Sequence, residues 1–258
     1  MADWNPGLYR RFEAERTRPA RELLARVDLE APRLAFDLGC GPGNSTELLV
    51  TRWPQAEVVG TDNSEAMLAS ARERLPESRF ELSDIVTWQP EHVPDLVYAN
   101  AALQWVGDHA TLFPRLFASP APGGVLAVQM PDNLGEPSHD AMREVASLPA
   151  YTSAIGDATS ARSRILSPTA YYDLLACEAA VVDVWQTTYH HPMQSPKSIV
   201  DWLRGTGLSP FLETLSEDHR AGFLAEYGQR MAAAYPARSD GIRLLTFPRL
   251  FIVATRRS

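Results

Sequence analysis

Lysine is nearly absent from this chain of 258 residues: Lys197 stands against 23 arginines. Cysteine is almost as scarce, with Cys40 and Cys177 far apart. Two such cysteines make neither a disulfide framework nor a four-ligand zinc site, so both read as packing thiols and no metal is expected. No run of about 18 apolar residues occurs to cross a bilayer. The opening stretch MADWNPGLYRRFEAERTRPARELL is too charged to hold the apolar region of a signal peptide, so a cytoplasmic protein without membrane attachment is expected. A basic excess is missing too. The formal net charge is -8, whereas a protein that tracks phosphates carries a basic face, which argues against nucleic acid as a partner. An acidic small substrate would need a local cluster of arginines, because the overall field repels it.

What is present suits a large core: 45% of residues are hydrophobic and 22% charged. Pro19 can open a helix and disfavours helical backbone at Arg18, so two helices meeting at an angle, 6–16 and 19–27, are expected. RLAFDL (33–38), EVVGTD (57–62), RFELSD (79–84), DLVYAN (95–100) and GVLAVQM (124–130) read as strands. Helices alternate with them, at 45–52 behind an Asn44 cap, from Ser64 to about Leu75, and from Asp108 to about Phe117. That cadence predicts a parallel sheet covered on both faces. After Pro131 it breaks. Helices are expected at 140–148, 168–178 and through 196–235, and strands at 180–190 and 242–255, with Pro248 at a bulge or junction. The expected fold is α/β, a seven-stranded, mostly parallel doubly wound sheet with a helical insertion. One domain spans 1–258: N-terminal helices over the site (1–30), a core (31–131), a substrate-covering insertion (132–240) that includes strand 180–190, and a final strand (241–258).

The stretch DLGCGPGNS places Gly39, Gly41 and Gly43 between a strand end and a helix start, where free N–H groups and the positive end of a helix dipole meet a ligand. A dinucleotide fingerprint needs a third glycine at a position held here by Asn44 or Thr46, and a phosphate loop needs a Gly-Lys-Ser/Thr that is missing. What remains is acidic-x-Gly-x-Gly-x-Gly from Asp37, which suits a nucleoside with an amino-acid end. Asp62, ending the second strand, is placed to accept from ribose hydroxyls, Asp84 ends the third, and Asn100 the fourth, on the edge where open α/β sheets bind ligands.

DLGCGPG, GTDNSEAM, SDI and YANAALQW together resemble the successive binding motifs of class I S-adenosylmethionine-dependent methyltransferases, over residues 33 to 131. The opening helices, QMPDN, WQTTYHHPM, DWLRGTGLSPFL and TFPRLFIVA extend a resemblance to the trans-aconitate 2-methyltransferase family over nearly the whole chain. That resemblance implies transfer of a methyl group from S-adenosylmethionine to a carboxylate of trans-aconitate, giving a methyl ester and S-adenosylhomocysteine. It implies that Asp37, Gly39, Cys40 and Gly41 frame the methionine end of the cofactor and that Asp62 holds ribose. Asn63 and Met67 would border adenosine, and Asp84 with Ile85 would receive adenine. Asn100 to Trp105 would lie where sulfonium and acceptor meet.

An ionised carboxylate needs no proton removed before it attacks, so no catalytic base is expected. Alignment and desolvation would supply the rate. Tyr9, Trp105 and Tyr189 are candidates for a dry aromatic wall, His191 for the acceptor pocket. Carboxylates are best gripped by forked guanidinium groups. Arg16, Arg18, Arg204 and Arg243 are candidates, with Arg18 and Arg243 favoured from position. Transfer to a hydroxyl, carbon or nitrogen of another metabolite, with His190 or His191 as base, is the alternative; a cofactor-binding regulatory protein is a third reading. A monomer or weak homo-oligomer is expected.

Overall fold

The computed structural model describes residues 13–158 and 162–258. In chain order its elements are α1 (Glu13–Ala25), β1 (Leu34–Leu38), α2 (Asn44–Arg52), β2 (Glu57–Asp62), α3 (Glu65–Arg74), β3 (Arg79–Leu82) and β4 (Leu96–Asn100). A 3-10 turn (Leu103–Trp105) precedes α4 (His109–Phe117), β5 (Val125–Pro131), α5 (Pro137–Ala146), α6 (Thr152–Ile155), α7 (Pro168–Ala176) and β6 (Ala179–Met193). The chain ends with α8 (Pro196–Arg204), α9 (Ser209–Leu212), α10 (Glu217–Ala234) and β7 (Arg243–Arg256).

The seven strands form one sheet in the order β3-β2-β1-β4-β5-β7-β6. Neighbours from β3 to β5 pair in parallel, and β7 returns antiparallel to β5, Val125 opposite Thr255 and Pro131 opposite Arg249. Pro248 sits one residue before that pairing, so its missing donor costs the β5–β7 ladder nothing.

Two compact units divide the described residues, one of residues 16–131, 165–187 and 249–258, the other of 13–15, 132–158, 162–164 and 188–248. The boundary differs from the expected insertion, since α7 and most of β6 belong with the sheet. Tyr171 and Leu175 of α7 explain this, being packed into the same core as Phe113 and Leu116 of α4. In the second unit, buried Trp202, Phe223, Tyr227 and Met231 of α8 and α10 make the interior, and Tyr227 Oη donates to the Ser138 carbonyl of α5 at 2.9 Å.

Within the sheet unit the two-residue period of a strand gives the two faces different chemistry. Phe36, Leu38, Val97, Ala99, Leu126, Val128, Met130, Leu250 and Ile252 all join one apolar cluster with α4 and α7. The opposite face carries Asp37, Tyr98, Asn100 and Gln129, with Asp37 paired to Tyr98 and Asn100 to Gln129 in the register. Residues Arg16 to Ala25 of α1 cover that face: Ala20 and Leu23 are buried, and the Tyr98 hydroxyl donates to the Ala20 carbonyl at 2.7 Å.

One expectation fails here. α1 runs unbroken from Glu13 through Pro19 to Ala25, so the break expected between 16 and 19 is absent, while residues 6–12 of the first expected helix lie outside the described residues. A proline inside a helix removes one backbone bond and crowds the preceding turn. Burial of Thr17, Ala20, Leu23, Leu24 and Val27 along one side outweighs that penalty. Asn44 is likewise the first residue of α2 and not its cap; Gly43, left-handed at φ 88°, takes that place. The Ser64 and Asp108 caps form as expected, accepting from Met67 N and Thr111 N. Among the described residues no helix is long and apolar enough to cross a membrane.

Because the Tyr98 hydroxyl holds α1 to the sheet in a buried setting, Tyr98→Phe should leave the Ala20 carbonyl without its donor. A loss of about 1–3 kcal/mol in urea unfolding is expected; unchanged stability would mean that packing alone seats the helix.

Candidate functional site

The glycine loop is built around one buried carboxylate. Asp37 is fully buried in β1, and its Oδ2 accepts from the hydroxyls of Ser45 and Thr46, each at 2.7 Å, in the first turn of α2. Oδ1 of the same group has no hydrogen-bond partner among the described residues. Burial pushes the carboxyl up to about 6, against the two hydroxyls, with Asp62 raising it further. A buried carboxylate oxygen left over next to a helix N-terminus suits a cationic donor, as an amino-acid ammonium would be.

The three glycines turn the chain back on itself with left-handed backbones, φ 68° at Gly39, 54° at Gly41 and 88° at Gly43. At Gly39 a side chain is impossible: a Cβ would stand 2.4 Å from the Ala102 Cβ and 3.5 Å from Ile85 Cδ1. Nothing lies within 4 Å of a Cβ at Gly41, whose N–H donates to Asp62 Oδ2 at 2.9 Å. Asp62 Oδ1 accepts from Ser64 N at 2.9 Å, so this carboxylate ties the loop after β1 to the start of α3 while each oxygen keeps a lone pair for a ligand hydroxyl. Cys40 points away from the loop surface. It is buried with Leu68, Ala71 and Phe80, and burial pushes its thiol up, so any part it has in binding is its backbone's.

Asp37, Gly39, Gly41, Asp62 and Ile85 are therefore brought together at the carboxyl ends of β1 and β2. Asn63 is exposed and Met67 half-buried at the start of α3. Asp84 is exposed and accepts from Val86 N at 2.8 Å, while the Ile85 carbonyl accepts from Arg115 Nη2 at 2.7 Å, which fixes the turn after β3. Beyond Asn100, Ala101 is held at φ 55°, a conformation that a non-glycine residue adopts only under constraint. Its N–H donates to the Gln129 carbonyl at 2.9 Å and its carbonyl accepts from Gln104 Nε2 at 2.5 Å. His109 steadies this turn from below, hydrogen-bonded through Nε2 to the Leu103 carbonyl at 2.9 Å and through Nδ1 to the Tyr171 hydroxyl. Trp105, at the end of the turn, is 49% exposed.

The residues expected to grip the acceptor are more scattered. Tyr9 lies outside the described residues. Arg18 points off α1 into an ion pair with Glu22 at 2.7 Å and is 63% exposed. Arg243, in the other unit, donates through Nη1 to the carbonyls of Ala232 and Tyr235, which ties β7 to the end of α10. Tyr189 and His191 share that unit. His191 stacks against Tyr189 at 5.9 Å between ring centroids and against Trp202 at 4.5 Å, the placement of an aromatic packing residue. Ser45, Thr46, Gln129 and Arg249 were not singled out from sequence. A lone glutamine within the otherwise apolar VLAVQMP and a lone arginine within FPRLFIVA are the signals that would have found the last two.

Since burial raises Asp37 above its ordinary 3.8, the folded chain takes up a proton there more readily than the unfolded one. Stability from this group therefore declines as pH rises from about 4 through about 6, and above that the buried charge costs up to about 3 kcal/mol. Asp37→Asn should be more stable than the parent at pH 8 and lose that advantage at pH 4. A difference in urea unfolding that is the same at both pH values would refute the assignment.

A family model described as a methyltransferase domain matches residues 35–124, from β1 to the turn before β5. Among solved structures, YcgJ of Bacillus subtilis superposes with a TM-score of 0.60 at 12% identity, over 93% of this chain and 99% of that one. Phosphoethanolamine N-methyltransferase 2 of Haemonchus contortus, solved with S-adenosyl-L-methionine, gives 0.55 at 18% identity over 93% and 53%. Such likenesses speak to the fold alone. Curated relatives go further: trans-aconitate 2-methyltransferase of Methylobacterium radiotolerans is 65% identical over all of both chains, that of Variovorax paradoxus 63% over all of both, and that of Yersinia pestis 57% over 98% of each. Identity of that extent, end to end, on the sheet order and glycine loop described above, means that the chain belongs to the trans-aconitate 2-methyltransferase family.

Proposed function

We propose that this protein transfers a methyl group from S-adenosylmethionine to a carboxylate of trans-aconitate. The single observation that carries the reading is identity of 57–65% along the full chain to relatives of that name. The glycine loop fits the cofactor on its own terms: the leftover Oδ1 of Asp37 suits the ammonium group, Asp62 the ribose hydroxyls, and the turn at Asp84 and Ile85 the adenine. Asn63 and Met67 border the adenosine in this reading.

Bound there, S-adenosylmethionine would supply a methyl carbon on a sulfonium sulfur; a carboxylate oxygen would bond to that carbon as the carbon–sulfur bond broke, its electron pair staying on the sulfur of S-adenosylhomocysteine. The chain's own part is to hold the acceptor oxygen in line, exclude water and balance charge. A carboxylate is ionised at neutral pH, so this chemistry asks for no general base. In well-oriented systems positioning of this kind is worth about 7–11 kcal/mol of barrier. The constrained Ala101 and the turn pinned by His109 support such a role, because they hold the backbone after β4 in one conformation. The reading includes a cytoplasmic enzyme, a monomer or weak homo-oligomer, and no nucleic-acid partner, which the net charge of -8 supports.

Labelled S-adenosylmethionine offered with trans-aconitate, cis-aconitate, citrate and isocitrate in parallel should yield a base-labile labelled methyl ester selectively from trans-aconitate. Silence with all four acids, despite cofactor binding, would overturn the acceptor. The affinity for S-adenosylhomocysteine should fall as pH drops below about 6, where Asp37 takes up a proton and loses its attraction for the ammonium group. Asp37→Asn should bind about ten-fold or more weakly at pH 8 and show no such step; a step of the same size in the variant would assign the titration to another group.

A further inference from the structure

The face of the sheet beneath α1 holds more polar groups at its carboxyl edge than the cofactor reading uses. Gln129 of β5 is fully buried, and Arg249 of β7 is 4% exposed. Arg249 Nη1 donates to Gln129 Oε1 at 3.1 Å. That bond fixes which end of the amide faces which way, so Gln129 presents Nε2 on the other side, and this buried donor has no hydrogen-bond partner among the described residues. Asn100, opposite Gln129 in the β4–β5 register, lies on the same face and has a buried Oδ1 that is likewise unpartnered.

A second charged group lies over the same edge. Arg16 stands four residues before Ala20 and seven before Leu23, on the buried side of α1, and its Nε and Nη1 are buried. The direction of α1 follows from its far end. Arg52, where α2 returns toward the start of β2, donates to the carbonyls of Leu24 and Val27, which puts that end of α1 at the amino edge of the sheet. The start of α1 therefore lies toward the carboxyl edge, where Asn100 ends β4.

We infer that Gln129 and Arg249 form a seat for one carboxylate of the polycarboxylate acceptor, the Gln129 amide and the Arg249 guanidinium donating to its oxygens, with Arg16 adding positive charge from above. The donors match the ligand: a planar amide N–H beside a planar guanidinium meets a carboxylate edge-on, and an arginine held in place by its neighbour loses little freedom on binding. A dry setting strengthens those contacts. The inference rests on the proposed acceptor class and supplies what Arg18 and Arg243 do not offer, a guanidinium group packed against the sheet edge that carries the loop.

The test is binding of trans-aconitate by calorimetry to protein saturated with S-adenosylhomocysteine, together with KM and kcat. Gln129→Glu keeps the acceptor for Arg249 but turns the ligand-facing donor into a carboxylate; Gln129→Met keeps the length and removes the donor. Trans-aconitate should bind at least ten-fold more weakly to both variants, about 10- to 150-fold for loss of a charge-assisted bond, through KM more than kcat, while S-adenosylhomocysteine binds within two-fold of the parent. Three truncated acids separate a seat from general damage: methylfumarate lacks the carboxylate of the acetate arm of trans-aconitate, glutaconate its central carboxylate, and itaconate the carboxylate on the vinylic CH. The one that lacks the seated carboxylate should be indifferent to Gln129→Met, and the other two should lose affinity as trans-aconitate does. Unchanged affinity for trans-aconitate, or equal loss for all three truncated acids, would overturn the seat. Should Gln129→Glu not fold, Gln129→Met alone decides. If the parent neither binds nor methylates any polycarboxylate, the acceptor class itself falls and the seat with it.

Discussion

A carboxylate sealed from water sets the terms for the rest of the sheet edge. Asp37 sits in a strand whose every other neighbour favours an apolar residue, and burial alone would make its charge costly. Two hydroxyls offset part of that cost, and because Ser45 and Thr46 belong to the first turn of α2, the offset also fixes where that helix begins. Once β1 and the start of α2 are pinned to one carboxylate, the chain between them has five residues in which to reverse, and left-handed glycines at 39, 41 and 43 provide the turn. Asp62 then holds the middle of the loop from the neighbouring strand. Loop shape and polarity follow from a single buried acid.

The same edge owes its function to a difference between the two faces of the sheet. One face is filled by Phe36, Val97, Val128 and Ile252 against α4 and α7, an ordinary hydrophobic core that holds the strands in register. The other carries Asp37, Tyr98, Asn100 and Gln129 under α1. A one-residue slip of β4 or β5 would exchange the faces, so the apolar side specifies where the polar side points. Core packing and ligand chemistry are thus coupled through the strand period, and the stability of the apolar face is what keeps the polar row aligned.

How much of this the sequence discloses depends on the range of the interactions. The β1-loop-α2 unit, the Ser64 and Asp108 caps and the alternation through β5 are local, and their glycines, prolines and acids can be read in place. Pro19 misleads because its local preference loses to burial along the length of α1. The reassignment of α7 to the sheet unit depends on Tyr171 meeting Phe113 and His109, residues about 60 positions away, and no local pattern announces it. The arginines show the limit most plainly. Arg18 and Arg243 have plausible positions along the chain, yet one ends in a surface ion pair and the other on two carbonyls, while Arg249 acquires meaning only when β7 comes back beside β5. Residue type restricted the choice to guanidinium groups; tertiary pairing had to select among them.

The histidines bear on the choice between acceptors. A hydroxyl acceptor requires a group that takes up a proton near neutral pH, whereas a carboxylate does not. His109 holds the turn after β4 with both ring nitrogens engaged, and His191 is packed among aromatic rings. His139 is buried in the second unit, where burial, with Arg162 and Arg143, pushes its imidazole down to about 3, too weak a base to accept a proton at neutral pH. His190, the other candidate base, is exposed in β6 with Nδ1 3.4 Å from the Thr246 hydroxyl. Transfer to an ionised carboxylate asks nothing of any of these imidazoles, and in that reading orientation and charge balance at the sheet edge do the work.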